Sequence, residues 1–219
     1  MATPIPSNQA RVSAWQIAAA SGGRVTREVD ATLVGRGVTT DSRAVAPGSV
    51  FVALRGERFD GHEFVARAEE SGAAIVVVAR GESARARTAA VVEVDDTLLA
   101  WGAIARLHLA AWRRSAPADA PRRVIAITGS AGKTTTKELV RALASEVAPC
   151  HATAGNLNNR VGLPSVVLGL EPHHRIAVLE MGMSVPGEIA AMAEIAPPDV
   201  AIVTNVGLAH AGGVGGTRS

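Results

Sequence analysis

A short glycine-rich segment at residues 128–135, with the sequence TGSAGKTT, has the residue types that hold phosphate groups. An apolar run before it predicts a strand and a helical pattern follows it, so the helix N–H groups and helix dipole face the turn. Gly129 and Gly132 let the backbone curl closely around an anion. Lys133 supplies a cation for the outer phosphates, and Thr134 supplies a hydroxyl suited to Mg²⁺. The residues predicted to bind nucleotide phosphates are Gly129, Ser130, Ala131, Gly132, Lys133, Thr134 and Thr135.

The spacing of this loop departs from that of the common phosphate-binding loop. The common pattern has a glycine five residues before Gly132, where this chain has Ile127. One interpretation is a glycine turn that only joins a strand to a helix. A lysine followed by three threonines, at positions 133–136, is hard to explain as a simple turn, so the phosphate-binding interpretation is favoured.

Two further polar residues follow predicted strands. Glu180 ends the apolar run 177–180, and His210 follows the predicted strand 200–204 by a short loop. Because ligands of open α/β sheets sit at the carboxyl ends of the strands, both residues belong on the same edge as the glycine loop. There Glu180 is suited to ligate Mg²⁺, and His210 to contact a metal ion or phosphate. A strand-end glutamate that faces water is the alternative for Glu180, and its position beside the glycine loop favours the functional interpretation; for His210, an incidental loop histidine remains equally open.

Three other polar segments are ambiguous on chemistry alone. They are the asparagine-rich segment 154–159 and the loops 40–43 and 59–62. Asparagine favours turns and often satisfies only the local backbone, so each segment fits an ordinary loop as well as a site for a polar ligand.

Composition excludes several classes of protein. The chain is 47% hydrophobic but 3% aromatic, no apolar run approaches a membrane span, and residues 1–10 predict no secretory signal. Cys150 is the only cysteine, which excludes an internal disulfide and fits a reducing cytosol. A net charge of +2 with few aromatic rings argues against nucleic-acid binding.

The arginines at 113–114 and 122–123 are interpreted as solvated residues that flank a linker.

The pattern along the chain predicts two α/β regions joined by a linker. The first region, 1–114, is followed by a linker at 115–123 that is rich in proline and alanine, and by a second region at 124–219. The first region has predicted strands at 50–54, 74–79 and 90–94 and predicted helices at 62–71 and 96–114, after a short helix capped by Ser13 that ends at Gly22.

The second region repeats a strand–loop–helix pattern, which predicts a largely parallel sheet. Predicted strands lie at 124–128, 176–179 and 200–204, and predicted helices at 133–147 and 186–195. Leu139, Val140, Leu143, Ala144 and Val147 are expected on one side of the first of these helices. A complete nucleotide-binding domain has about five or six strands, so we expect this sequence to be a fragment.

Several motifs together resemble the Mur ligases, which build peptidoglycan precursors. The N-terminal motifs are TDSR at 40–43, PG at 47–48, FVALRG at 51–56 and DGHEF at 60–64, and the glycine loop resembles the short ATP loop of the family. The segments GNLNN at 155–159, EMGM at 180–183 and GEI at 187–189 resemble the member that adds D-alanyl-D-alanine. The resemblance implies a small N-terminal α/β substrate domain followed by an incomplete P-loop-type, parallel-sheet ATP-binding domain.

The resemblance also implies a reaction and a set of site residues. ATP phosphorylates the terminal carboxylate of UDP-N-acetylmuramoyl-tripeptide, and the amine of D-alanyl-D-alanine attacks the acyl phosphate. Lys133, Glu180 and His210 are the implied catalytic residues; Thr134, Glu180 and His210 would hold Mg²⁺, and Asn158 and Asn159 would lie near ATP. The residues implied for the UDP-sugar-peptide are Asp41, Ser42, Arg43, Asp60, Gly61 and His62.

The family carries a lysine, often carbamylated, shortly beyond the position of His210, and a C-terminal domain that contributes to ATP binding. This sequence ends first, so we expect no ligase turnover from these 219 residues alone. The resemblance further implies a cytoplasmic monomer.

Three alternatives remain open. The ligase that adds the third amino acid to the same precursor shares the N-terminal motifs and short loop, but residues 155–159 fit it poorly. A non-catalytic module that binds nucleotide or UDP-sugar belongs to a different class. A nucleotide-driven switch or motor is weakened by the short spacing of the loop.

Overall fold

The computed structural model describes residues 6–56 and 59–207 of the chain. These residues form two compact units, and the division falls between His108 and Leu109, within a long helix. The functional domain boundaries stated above, with a linker at 115–123, remain a prediction.

The first unit is built on a five-stranded sheet. Its elements are β1 (Arg11–Ser13), α1 (Ala14–Ser21), β2 (Arg24–Arg27), β3 (Val34–Arg36), β4 (Val38–Thr39), β5 (Val50–Val52), α2 (Val65–Glu70), β6 (Ile75–Ala79), β7 (Ala90–Val94) and α3 (Thr97–Arg114), with 3₁₀ turns at Gly61–Phe64 and Ser83–Arg85. The strand order is β2-β7-β6-β5-β4; β4 to β7 run parallel and β2 runs antiparallel to β7. β1 and β3 form a separate antiparallel pair.

Three strands form the centre of this sheet because nearly all their residues are apolar; the exception is Glu93 of β7, whose buried carboxylate pairs with Arg24 at 2.7 Å. β5, β6 and β7 are buried along almost their whole length, as expected for parallel strands that are covered on both sides. Val65 and Ala68 of α2 pack in the same cluster as Phe51, Val76 and Val91. The strands predicted at 50–54, 74–79 and 90–94 are confirmed. β1 to β4 were not predicted, because they are short and, unlike the equally short β5, are not continuous apolar runs.

Side-chain caps explain where two helices of this unit begin. Ser13 accepts a hydrogen bond from the backbone of Gln16, whose side chain accepts one from Ser13, and Gly22 ends the helix with a φ of 68°. Asp96 accepts hydrogen bonds from the N–H groups of Leu98 and Leu99 at 2.7 and 3.0 Å, which starts α3. The predicted capping by Ser13 is confirmed.

The second unit is a four-stranded parallel sheet with helices between its strands. Its elements after α3 are β8 (Arg123–Thr128), α4 (Lys133–Val147), β9 (Cys150–Ala152), α5 (Gly162–Leu168), β10 (Ile176–Glu180), α6 (Glu188–Ile195) and β11 (Val200–Val203). The strand order is β11-β8-β10-β9, and all the pairs are parallel, as predicted. No helix within 6–56 or 59–207 is long and apolar enough to cross a membrane.

The register of this sheet brings three strand ends to one edge. Glu180 at the end of β10 lies opposite Ile127 of β8, and Val203 of β11 lies opposite Thr128. The loops that follow β8, β10 and β11 therefore emerge side by side, where ligands of parallel sheets bind.

The buried side of α4 differs from the prediction. Leu139, Leu143 and Val147 are 62%, 71% and 82% exposed, although they were expected to share a side with Val140 and Ala144. Val140 and Ala144 do pack in the cluster that includes the sheet residues Ile127 and Val178.

Lys137 is a further buried residue of α4, besides Ala144 and the partly buried Val140. Its side chain is buried, and its ammonium group donates to the Thr153 carbonyl at 2.8 Å and pairs with the Glu138 carboxylate at 2.7 Å. A pattern of apolar residues alone cannot identify a buried lysine that has a backbone acceptor, which accounts for the error in the predicted face.

The arginines interpreted as solvated include one that is buried. Arg122 is 6% exposed and donates to the Ser115 hydroxyl at 2.6 Å, to the Pro172 carbonyl at 2.5 Å and to the Trp112 carbonyl. The interpretation was therefore wrong for Arg122, because carbonyl groups at the end of α3 and in a later turn accept the hydrogen bonds that water would accept from an exposed guanidinium. Arg113 and Arg123 both pair with Asp199.

Three histidines meet at the turn before β10. The ring of His174 lies 4.0 Å from that of His173 and 5.0 Å from that of His151, measured between centroids. His174 Nδ1 accepts a hydrogen bond from the Glu171 N–H at 2.9 Å. Burial, the two neighbouring rings and the nearby Arg122 lower the pKa of His174 to about 4, despite an opposing effect of Glu171.

This depressed pKa predicts a loss of stability in mild acid. In the unfolded chain His174 takes up a proton near its ordinary pKa of 6.5, so between pH 6.5 and 4 the unfolded state binds more protons than the folded state. Lowering the pH through this range is expected to cost on the order of 1 kcal/mol of unfolding free energy, allowing for the partial exposure of the ring.

Urea unfolding at pH 7, 6, 5 and 4 measures this cost, with His174→Asn as the comparison because asparagine also offers an acceptor but does not titrate. The variant is expected to have a shallower pH dependence. An NMR midpoint for the His174 ring near pH 6.5 would contradict the explanation.

Candidate nucleotide-phosphate site

The glycine loop lies between β8 and α4, as the sequence pattern predicts. Gly129 and Gly132 have φ values of 139° and 80°, in the region that glycine tolerates and other residues rarely adopt. The first N–H groups of α4 lack acceptors within the helix, so they are available to an anion. Lys133 Nζ donates to the Gly129 carbonyl at 2.7 Å, which holds the ammonium group against the loop. The loop therefore presents N–H groups and one cation to the same space.

Glu180 lies beside this loop and is almost fully buried. One carboxylate oxygen accepts from the Thr134 hydroxyl at 3.0 Å, and the other accepts from the Asn158 side-chain amide at 2.8 Å. Its backbone N–H donates to the Thr153 hydroxyl at 2.9 Å. Three segments that are distant in the sequence therefore meet at one carboxylate.

The two adjacent asparagines, Asn158 and Asn159, have different hydrogen-bond partners. The Asn158 carbonyl accepts from the Gly182 N–H at 2.7 Å, so this residue contacts the end of β10 through its backbone as well as its side chain. Asn159 instead accepts from the N–H groups of Val161 and Gly162 at 3.1 and 2.8 Å, which stabilises the start of α5. Asn158 therefore lies with Glu180 and Thr134, whereas the side chain of Asn159 has local partners.

The oxygen atoms near the loop suit a magnesium ion. A carboxylate and a hydroxyl, from Glu180 and Thr134, are hard oxygen donors of the kind that Mg²⁺ prefers. The described residues contain no cluster of three or more His, Cys, Asp or Glu side chains suited to a metal. Mg²⁺ needs no such cluster, since it is commonly bound by one or two carboxylates together with substrate phosphates and water. His210, the third predicted ligand, lies outside the described residues.

A small cavity opens beside the loop. It has a volume of about 150 Å³. Lys133 and Asn205 are among its polar lining residues, and Met183, Ile189 and Val206 are among its apolar ones. The cavity can therefore accommodate a group that combines negative charge with an apolar part.

In the first unit, the predicted substrate residues at 41–43 form a compact turn. The Arg43 N–H donates to Asp41 at 2.9 Å, and the Arg43 guanidinium pairs with the same carboxylate at 2.7 Å. The hydrogen bond from Arg43 is the main reason that the pKa of Asp41 lies below its usual value. Ser42 is buried, while the Arg43 side chain is 75% exposed. Arg43 is therefore the member of this turn most accessible to a ligand.

The predicted substrate residues at 60–62 are engaged within their own unit. His62 has a fully buried ring whose Nε2 accepts from the Ala79 N–H at 2.9 Å, so Nδ1 carries the proton and donates to Asp60 at 2.5 Å. Burial tends to raise the pKa of Asp60, but hydrogen bonds from His62 and Arg55 outweigh it and lower the pKa to about 2. Both ring nitrogens of His62 thus have protein partners.

Gly61 also has a structural reason for its identity. A Cβ at this position would lie 2.6 Å from the Leu54 carbonyl oxygen, which is too close for any side chain. The turn at 60–62 therefore anchors a loop to the sheet, and a direct contact between His62 and substrate remains only a prediction.

Several residues near the loop were missed by the sequence interpretation. The Thr153 hydroxyl accepts from the Glu180 N–H, and Lys137 donates to the Thr153 carbonyl. Thr204 and Asn205 contact the glycine loop directly. Asn205 follows β11 at the same sheet edge as Glu180, so its position after a predicted strand was an available signal. Lys137 lies one helical turn after Lys133 and gave no comparable signal.

Comparison with known proteins identifies the family. Residues 36–109 match a model described as "Mur ligase family, catalytic domain", and residues 127–218 match one described as "Mur ligase middle domain". UDP-N-acetylmuramoyl-tripeptide–D-alanyl-D-alanine ligases are similar in sequence. The one from Bacillus subtilis (strain 168) is 44% identical over 174 residues, which are 80% of this chain and 36% of that protein. The one from Synechocystis is 43% identical over 178 residues, 81% and 37% respectively.

Solved structures agree with these matches. A crystal structure of MurF from Acinetobacter baumannii has a TM-score of 0.79 and 35% identity, covering 98% of this chain and 44% of that one. MurF ligase from Thermotoga maritima in complex with ADP has a TM-score of 0.69 and 37% identity, covering 80% and 38%. The chain thus spans well under half the length of these relatives. Since the two models together match most of its residues, the chain belongs to the Mur ligase family.

Proposed function

We propose that this chain carries the ATP-binding loop and the UDP-sugar-peptide-binding region of a ligase that joins D-alanyl-D-alanine to UDP-N-acetylmuramoyl-tripeptide. The observation that carries the proposal is the meeting of Thr134, Asn158 and Glu180 beside the glycine loop. Similarity to ligases of this name, and to one solved with ADP, supports the choice of reaction. The same proposal places the protein in the cytoplasm, as a monomer, in peptidoglycan precursor synthesis.

The proposed chemistry has two steps. A carboxylate oxygen of the tripeptide attacks the γ-phosphorus of ATP and the bond to the ADP oxygen breaks, giving an acyl phosphate. The amine of D-alanyl-D-alanine then attacks the acyl carbon, phosphate leaves, and the nitrogen loses a proton. Both steps place extra negative charge on phosphoryl or acyl oxygens, so catalysis depends on fixed positive groups and on alignment of the reactants.

The residues of this chain supply much of that environment. Lys133 and the N–H groups at the start of α4 neutralise the β- and γ-phosphates. Glu180 and Thr134 would hold Mg²⁺, which when bound would offset further charge on the phosphates. Asn158 fixes the direction of the Glu180 carboxylate through its 2.8 Å hydrogen bond. His210 is proposed as a further metal contact.

The first unit is proposed to hold the UDP-sugar-peptide. Arg43 is exposed and cationic, which suits a diphosphate, while Asp41 and Ser42 shape the turn that presents it. Asp60, Gly61 and His62 would contribute by fixing the neighbouring loop. In this proposal the substrate domain covers residues 1–114 and the ATP-binding domain begins at 124.

Titration calorimetry with three UDP-linked ligands tests the proposed substrate. UDP-N-acetylmuramoyl-tripeptide is expected to bind the chain more tightly than the corresponding dipeptide or UDP-N-acetylmuramic acid. Arg43→Gln is expected to weaken binding of all three ligands roughly tenfold, because a charge-assisted contact to the shared diphosphate is lost.

Arg106→Gln, an exposed arginine on α3, serves as the control and is expected to bind like the unchanged chain. Tighter binding of the dipeptide form would instead favour the ligase that adds the third amino acid. Absence of binding by all three ligands would contradict the proposed substrate.

A further inference from the structure

The glycine loop of this chain is short, because only residues 129–132 connect β8 to α4. Ile127 stands where the common loop has its first glycine, and it lies within β8. Two of the loop's N–H groups already have partners in the protein. The Ser130 N–H donates to the Asn205 carbonyl at 3.1 Å, and the Ala131 N–H donates to the Asn205 side-chain oxygen at 2.9 Å.

The neighbouring residue, Thr204, holds the loop from the same side. Its hydroxyl donates to the Ala131 carbonyl at 2.6 Å, and its backbone N–H donates to the Thr128 carbonyl at 2.9 Å. Ala131 is therefore held at both its N–H and its carbonyl, by two successive residues after β11.

Close packing at Gly129 shows that this arrangement is tight. A Cβ on Gly129 would lie 2.0 Å from the Thr204 hydroxyl oxygen and 3.0 Å from backbone atoms of Asn205. Gly207 adds one more contact, because its N–H donates to the Ser130 hydroxyl at 2.9 Å. The loop is thus bound to the segment after β11 along most of its length.

We propose that Thr204 and Asn205 are positioning residues that hold the short loop in its phosphate-binding conformation. We call these two residues the brace. With the N–H groups of Ser130 and Ala131 directed to the brace, the phosphate is bound by the N–H groups at the start of α4 and by Lys133. The inference rests on the proposed nucleotide-binding function of the loop.

Hydrogen–deuterium exchange in the absence of nucleotide tests the brace directly. Asn205→Ala removes the acceptor of the Ala131 N–H, and exchange at Ala131 is expected to accelerate roughly tenfold, whereas the Ser130 N–H keeps its acceptor, the backbone carbonyl of residue 205. Exchange in β10 is expected to stay unchanged. Asn205→Asp keeps a side-chain acceptor and is expected to restore protection at Ala131. Ser145→Ala, which loses a hydroxyl on the exposed side of α4, is the control.

Two exchange results would overturn the proposal. One is unchanged protection of Ala131 in Asn205→Ala, and the other is an equal acceleration in β10, which would show a general loss of stability. If Asn205→Ala does not fold, Thr204→Val provides the same test, because it keeps the branched side chain but removes the donor to Ala131. It is expected to accelerate exchange at Ser130 and Ala131 by a similar factor.

Nucleotide affinity supplies the functional measurement. The dissociation constant for ADP with Mg²⁺ is expected to rise roughly tenfold in Asn205→Ala and Thr204→Val, and to stay unchanged in Ser145→Ala. An unchanged affinity in both brace variants would overturn the positioning role. If the unchanged chain binds no ADP, the proposed function fails, while the exchange experiment still decides whether the brace holds the loop.

Discussion

Replacing Glu180 with glutamine is expected to abolish the enhancement of ADP binding by Mg²⁺. The substitution keeps the shape of the side chain but removes the negative charge that a divalent ion requires. We expect affinity for ADP in the presence of Mg²⁺ to fall about 10- to 100-fold, toward the affinity measured with EDTA. Calorimetric titration of both proteins, with and without Mg²⁺, measures the difference.

The fold is expected to tolerate this change. The amide oxygen of glutamine can still accept from Asn158, and its amide nitrogen can donate to the Thr134 hydroxyl, so we expect the unfolding free energy to fall by no more than about 1 kcal/mol. Glu146→Gln, which alters an exposed carboxylate in the last turn of α4, is the matched control and should retain the full effect of Mg²⁺. Retention of that effect in Glu180→Gln would show that this carboxylate does not hold the metal.

Substituting alanine for Gly129 is expected to abolish measurable nucleotide binding and to destabilise the second unit by several kcal/mol. The new Cβ would lie 2.0 Å from the Thr204 hydroxyl, at a backbone φ of 139° that alanine rarely adopts. Either the loop or the segment after β11 must move, and both movements disrupt the site. Thermal unfolding and ADP titration measure the two effects.

Gly187→Ala separates the effect of backbone conformation from that of the collision. Gly187 has a φ of 88°, but nothing lies within 4 Å of a Cβ placed there. This control is therefore expected to cost only about 1 to 2 kcal/mol and to leave ADP binding intact. Equal effects of the two substitutions would contradict the importance of the contact with Thr204.

Features that depend on local spacing were predictable from the sequence. The apolar run before the glycine loop indicated a strand, and the helical pattern after it indicated a helix. The position of Glu180 beside the loop was predictable because the parallel strands β8 and β10 end at the same edge of the sheet. The central strands β5 and β6 were recognisable from their continuous apolar runs, and β7 from an apolar run interrupted only by Glu93.

Features that depend on distant partners were not predictable in the same way. Lys137 and Arg122 are charged residues with buried side chains, and only the tertiary structure supplies their carbonyl acceptors. Asn158 and Asn159 are adjacent and chemically identical, yet one contacts Glu180 and the other accepts from the N–H of Gly162 at the start of α5. Asn205 contacts the glycine loop across 74 residues of sequence; its position after a predicted strand indicated the sheet edge, but no local pattern indicated its hydrogen bond to Ala131.

Calorimetric titration with ADP and Mg²⁺, on the unchanged chain and on Lys133→Ala, tests the central claim most directly. The claim is that the glycine loop of this chain binds nucleotide phosphates through Lys133 and the start of α4. It predicts saturable binding at one site, weakened about 10- to 100-fold in the variant, whose thermal unfolding should remain near that of the unchanged chain. Equal affinity in the two proteins, or absence of binding by the unchanged chain, would contradict it.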